Sequence, residues 1–148
     1  MNEETNSMDF GQLNEMIGYL LRRAQVAAYH DYANGMGSDV NGVSPATFAV
    51  LTLIDLNPGL NQSTLAVALD IERSGVVLMI NKLEAKGLAE RRQSAEDKRM
   101  HALYLTPKGK DILTKVHIKV CEHNSRLVKK ITSEEYASLK VILRKLYE

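Results

Sequence analysis

"INKLEAKGLAERRQSAEDKRMHALYLTPKG", residues 80–109, is the stretch whose reading decides the fold. Ile80 and Leu83 continue a helical period, and Gly87 ends it, since glycine suits the left-handed position just past a helix. Leu88-Ala89-Glu90-Arg91-Arg92 and Met100-His101-Ala102-Leu103-Tyr104-Leu105 are short extended runs around a charged turn, the pattern of a β-hairpin. Thr106-Pro107 then places an N-cap before a proline at the first helical position, where the missing N–H costs nothing, and a new helix opens. The segment is the end of a helix, a hairpin and the start of another helix.

Working outward, the interrupted helix runs upstream to about Glu72. On a wheel of 100° per residue, Val76, Met79, Ile80 and Leu83 fall within about 60° of one another and form its core face. A turn at Asp70-Ile71 separates it from a short helix, QSTLAVALD, capped by Asn61 and stapled by Leu60 to Leu65. Ser44-Pro45 opens an earlier helix, stapled by Val43 and Phe48, that must stop near Asn57 because Pro58-Gly59 follows. Asp9 caps a first helix, with Met8 against Leu13. Leu13, Met16, Ile17, Leu20, Leu21 and Ala24 keep its period to about residue 33. The glycine- and asparagine-rich loop over 34–43 has no period. Downstream, the helix from Pro107 reaches about Lys130, and Thr132 with Glu135 forms a capping box, stapled by Ile131 and Tyr136, for a last helix. The predicted fold is mainly α with a small β-hairpin wing, in the order α-α-α-α-β-β-α-α. Two short helices across a tight turn, followed by a hairpin, make a winged helix-turn-helix, whose second helix is of the width that fits the major groove of B-DNA.

Composition agrees with that class. The 148 residues are 45% apolar and 25% charged, ordinary for a globular domain. The N-terminal MNEETNSMDF is acidic and has no apolar core, so no signal peptide is expected, and no apolar run reaches the roughly 18 residues of a membrane span. One cysteine, Cys121, excludes an internal disulfide and suits a cytoplasmic protein. No glycine-rich phosphate loop, nucleophile motif or paired-carboxylate signature is present, so neither enzyme nor cofactor is expected. The net charge of +1 conceals a division. Residues 1–72 carry two basic residues against nine acidic ones, or −7, whereas residues 73–148 carry 17 against nine, or +8. Such asymmetry points to a polyanion-binding half that begins inside the second short helix.

From Pro45 to Gly109 the chain resembles the MarR (multiple antibiotic resistance regulator) family of winged-helix transcriptional regulators. "NPGLNQSTLAVALDI" is similar to the family's brace helix, "INKLEAKGLAERR" to its recognition helix running into the first wing strand, and "AEDKRMHALYLTPKG" to its wing and the following helix start. The resemblance implies a homodimer bound to a double-stranded, inverted-repeat DNA operator, with half-sites about one turn, roughly 10 bp, apart. Residues 1–43 would form an N-terminal dimerisation helix and loop, residues 44–106 the DNA-binding domain, and residues 107–148 the C-terminal dimerisation helices. Val116, Val120 and Leu127, with Leu139, Ile142, Leu143 and Leu146, supply apolar stripes for the subunit contact or for an internal core. The leading expectation is a repressor. An activator, a ligand-independent regulator and a winged-helix protein-interaction module remain open.

The expected DNA contacts follow from these positions. Arg99 matches the wing arginine that enters the minor groove, Asp97 the acidic residue that orients it, and Lys98 a position where the family often has arginine. Arg91 at the wing root suits either a phosphate or a surface ion pair. On the recognition helix, Arg73 and Ser74 sit at the N-terminal turn, where backbone N–H groups can face phosphates. Gly75 would let the backbone approach closely. Val77 and Leu78 stand where the family commonly has threonine and arginine; they offer methyl contacts, Asn81 an adenine contact and Lys82 a phosphate contact.

The family often senses a small anionic aromatic molecule between its long helices and the winged domain, and some branches answer to coenzyme A thioesters. "IGYLLRRAQVAAYHDYA" with "NPGLNQ" resembles the hydroxycinnamate-catabolism branch. Arg22 and Arg23, beside Tyr19 and near Tyr29, His30 and Tyr32, suit an aromatic carboxylate or acyl-CoA effector, with Phe48 and the 34–43 loop to line or cover the pocket; an acidic side chain or DNA phosphate would serve the arginines equally. Cys121 reads as a small packing residue. His117 and Cys121 share a helix face while His123 points elsewhere, so no metal is expected.

Overall fold

A computed structural model describes residues 8–40, 42–93 and 101–148. Six helices and a small sheet follow one another as α1 (Ile17–Gly35), α2 (Pro45–Leu56), β1 (Leu60–Asn61), α3 (Gln62–Leu69), α4 (Arg73–Ala85), β2 (Ala89–Gln93), β3 (His101–Leu105), α5 (Pro107–Val128) and α6 (Ser133–Tyr147). Short 3-10 helices, Gly11–Glu15 and Ser38–Val40, flank α1.

The caps form as local chemistry dictates. Ser44, Asn61, Thr106 and Thr132 each accept a backbone N–H three residues on, and Thr132 with Glu135 closes both halves of a capping box. At the end of α4, Gly87 adopts φ +67°. Leu88 N–H donates to Leu83 O and Gly87 N–H to Glu84 O, both at 2.8 Å, which is a Schellman ending. Between α3 and α4 the left-handed residue is Asp70 at φ 50°, one of the few non-glycine types that tolerate it. That residue makes the turn of the helix-turn-helix.

Two expectations need correction, and one segment gains a role. The first helix does not run unbroken from Asp9. The Asp9 carboxylate accepts from Gly11 N–H at 2.8 Å, two residues on, Gly11 turns to φ +51°, and Met16 is extended before α1 begins. The sheet has three antiparallel strands rather than two, in the order β1–β3–β2, because Leu60 and Asn61 pair with Leu103 and Ala102. The loop after α1 is also part of the core. Val40 and Val43 are buried, and Tyr32 Oη donates to Val43 O at 3.0 Å.

The core lies among α2, α3, α4 and the sheet, with Val50, Leu51, Ile54, Leu65, Val76, Ile80 and Leu103 fully enclosed. The first half of α5 closes it. Val116 is completely buried and Val120 packs against the cluster, so these two belong to the internal core and not to an exposed stripe. At Gly109 the first turn of α5 meets the backbone of Leu88 so closely that an added Cβ would stand 1.9 Å from Leu88 O. Thr106 fastens the same joint, with its N–H donating to Leu88 O at 3.1 Å and its hydroxyl to Gly87 O at 2.7 Å. By contrast α6 has no buried residue, and α1 buries only Tyr32. Among the described residues no helix is long and apolar enough to cross a membrane.

Candidate nucleic-acid interface and ligand cavity

The outer face of α4 is the first candidate surface. Its buried side is Val76, Ile80 and Leu83, with Met79 partly buried, which turns Ser74, Leu78, Asn81, Lys82 and Ala85 to solvent. Leu78 is 61% exposed, unusual for a leucine in a helix whose other face is a core, and Val77 is half-buried beside it. At the start, Glu72 makes no side-chain cap, so the first N–H groups of α4 stay open beside the exposed Arg73 and Ser74. A Cβ built at Gly75 meets nothing within 4 Å, so internal packing does not demand glycine there.

Arg91 is occupied inside the protein. Its guanidinium pairs with Glu84 on α4, its backbone N–H donates to the same carboxylate at 2.9 Å, and its Nη2 donates to Asn81 Oδ1 at 2.8 Å. With its amide oxygen turned inward, Gln62 of α3 also accepts from this guanidinium. Arg91 therefore ties the wing root to both helices of the helix-turn-helix, and the ion-pair alternative describes it better than a phosphate contact. Asn81 is fixed accordingly: Arg91 takes one of the two lone pairs of its Oδ1, which leaves the other and the amide N–H groups for an adenine edge. Arg92 pairs with Glu90 and lies over the Tyr104 ring, 4.5 Å from its centroid. Asp97, Lys98 and Arg99 lie outside the described residues.

The second candidate is a cavity of about 620 Å³ between α1, the start of α2 and α5, within the size range of small-molecule sites. Gln25, Val26, Ala28, Tyr29, His30 and Tyr32 line it from α1, Pro45 and Phe48 from α2, and Val120 and His123 from α5. The structure thus gathers Tyr29, His30 and Phe48 around one space. Tyr19, Arg22 and Arg23 fall outside the lining. Arg23 Nη1 donates to Tyr19 Oη at 3.1 Å, and Arg22 lies one helical turn before Gln25 and Val26 on the same side of α1.

Tyr32, named with Tyr29 and His30 near the arginines, lines the same space, whereas sequence reasoning missed Val120 and His123. His123 Nδ1 is 2.7 Å from Asp31 Oδ2, and its ring stands edge-on to Tyr32 at 5.5 Å. Arg126 grips the same carboxylate from the next turn of α5, with Nε at 3.0 and 3.1 Å from its two oxygens. Hydrogen bonds from Arg126 first, and from His123 second, hold the Asp31 carboxyl down at about 2. The three residues clamp α1 to α5 beside the cavity.

The MarR family profile matches residues 41–100, the winged segment. A protein assigned as the transcriptional regulator of the hcr operon in Thauera aromatica is 34% identical over 146 residues, 99% of this chain and 87% of that protein. The chain belongs to the MarR family. It is a transcriptional regulator of that family, and its relatives are not enzymes. The family's CouR repressor, solved on a 23-mer DNA duplex, superposes with a TM-score of 0.89 at 35% identity, covering 96% of this chain and 99% of CouR. The same repressor bound to p-coumaroyl-CoA gives 0.83 at 34% identity, over 95% and 97% of the two chains. The winged helix-turn-helix fold is therefore that of the family.

Proposed function

We propose that this MarR-family regulator is a homodimeric repressor that leaves an inverted-repeat operator when an aromatic acyl-CoA thioester enters the cavity between α1, α2 and α5. The observation that carries the reading is the cavity itself. It is mostly apolar, lined by aromatic rings, and built jointly by the flanking helices α1 and α5 and by Pro45 and Phe48 of the winged domain, taken as residues 44–106. A ligand seated there interacts with both units, so it favours whichever relative arrangement fits it better, and a shift in that equilibrium changes DNA affinity. Arg22, one turn beyond the lining and exposed, is the cation placed to receive a phosphate of such a ligand. The likeness to CouR, solved with DNA and with p-coumaroyl-CoA, supports the same reading.

On the DNA side, the open N-terminal turn of α4 with Arg73 and Ser74 meets phosphates, and Gly75 lets the backbone approach. Val77 and Leu78 lie against thymine methyls and Lys82 meets a phosphate. Exposed apolar residues on α1 and α6, including Ile17, Leu20, Ile142 and Leu146, are covered in the dimer. Together with residues 1–43 and 107–148, they form the dimerisation unit.

The test is a titration of p-coumaroyl-CoA into the regulator held on DNA from its own upstream region, followed by fluorescence anisotropy. The expected result is release by the thioester at concentrations where coenzyme A alone and free p-coumarate leave the complex intact. Undiminished binding at saturating thioester would sink the effector assignment.

A further inference from the structure

His123 and Asp31 sit 92 residues apart in sequence, and their contact places an oriented polar group in a largely apolar cavity, across from Gln25 and His30 of α1. Asp31 takes the Nδ1 side of the imidazole at 2.7 Å. The opposite nitrogen, Nε2, makes no hydrogen bond among the described residues, and the ring lines the cavity. Arg126 already balances the carboxylate charge through a guanidinium contact at 2.9 Å, so the pair does not require the imidazole to be a cation. With Nδ1–H committed to Asp31, a neutral ring offers a lone pair at Nε2, and a lone pair takes up an O–H. A carboxylate brings no such proton. The position within the cavity gives the direction. The His123 side chain is only 13% exposed and the Tyr32 ring beside it is buried, whereas Tyr29 and Val26 on the outer side of α1 are 56% and 41% exposed in the single chain, so the Tyr32–His123 side is the closed end.

We infer that His123, oriented by Asp31, is the acceptor for a phenolic hydroxyl, and that the aromatic effector enters hydroxyl first with its thioester at the open end. This rests on the thioester reading above and adds the chemical feature that the cavity selects. The hydroxyl donates to Nε2 while Nδ1–H donates to Asp31. An aromatic ring without the hydroxyl leaves Nε2 buried with no partner, which is the greater part of the discrimination.

The experiment compares p-coumaroyl-CoA with cinnamoyl-CoA, which lacks only the hydroxyl, by isothermal titration of the full-length protein and of His123→Phe and His123→Gln. The native protein should bind the hydroxylated thioester about 3- to 10-fold more tightly, the range of one hydrogen bond in a buried site. His123→Phe should bring the ratio close to one, chiefly by raising the affinity for cinnamoyl-CoA, since the acceptor that it leaves unpaired is gone; an unchanged melting profile shows that Arg126 and Asp31 still hold α1 to α5. His123→Gln, which retains a side-chain acceptor, should recover part of the preference. The absorption band of bound p-coumaroyl-CoA should shift to longer wavelength in the native protein and not in His123→Phe. Equal affinity for the two thioesters, or a preference that survives His123→Phe, overturns the inference and leaves the thioester reading standing. Failure of both thioesters to bind overturns that reading and this inference with it.

Discussion

Gly75 is the residue whose chemistry is least explained by packing. Glycine costs about 1 kcal/mol of helix propensity relative to alanine in a helix interior. Open space surrounds its Cβ position, so no neighbour would resist a methyl group. Gly75→Ala should therefore stabilise the protein in urea unfolding by about 0.5–1 kcal/mol while weakening operator binding, measured on the same preparation. A loss of stability, or unchanged DNA affinity, would contradict the close approach of α4 to DNA. Asn81 teaches the same lesson from the other side. Its position on the outer face was legible from the wheel, but its orientation was not, because that depends on Arg91, ten residues on and in a different element.

At the level of elements, α4 and the wing root act as one body. Arg91 joins β2 to Glu84 and Asn81 on α4, whereas Arg73 projects from the open end of α4. The two arginines should thus fail differently. Arg73→Ala should lower the slope of log affinity against log salt by about one, as expected for one lost phosphate contact. Arg91→Met should weaken binding with the slope unchanged, since it misplaces the wing without removing a contact to DNA. A smaller slope for Arg91→Met would mean that it meets a phosphate after all.

Elements were readable where their signals are local. Ser44, Asn61, Thr106 and Thr132 each declare a helix start within four residues, and Gly87 declares an end. β1 was not readable, because two residues show no alternation and Asn61 already serves as a helix cap. The cavity was read only in part, since its lining comes from three elements far apart in the chain. Tyr29, His30 and Tyr32 announced themselves as rings on the helix that carries the arginines, and Phe48 as a ring at the start of the next helix. His123 has Arg126 three residues on, but the carboxylate that joins the two, Asp31, is on another helix 92 residues away.

For the whole molecule, the uneven burial is the main fact. The winged domain has a closed core, while α6 presents Leu139, Ile142, Leu143 and Leu146 to solvent. A helix of this kind gains its stability by covering that stripe, and in the proposed dimer a second copy of the chain would supply the cover. Ile142→Glu should convert the protein to a monomer in light scattering and abolish binding to the inverted repeat, because each half-site alone retains only part of the contacts. A dimer that persists with its operator affinity intact would place the subunit contact elsewhere.

The contact of Gly109 with the Leu88 backbone has a mechanical meaning. The wing root and the first turn of α5 meet without a side chain between them, and Thr106 bolts the joint with two hydrogen bonds. Such a joint has little play. From Gly109 the helix spans about 17 Å to the cavity residue Val120 and about 21 Å to His123, at 1.5 Å per residue. A tilt of α5 by about 5°, pivoting at the cavity, would carry the wing root by about 1.6 Å, half the length of a hydrogen bond to DNA. The helix is a lever, and its shortest-range contact is what gives the lever a rigid end.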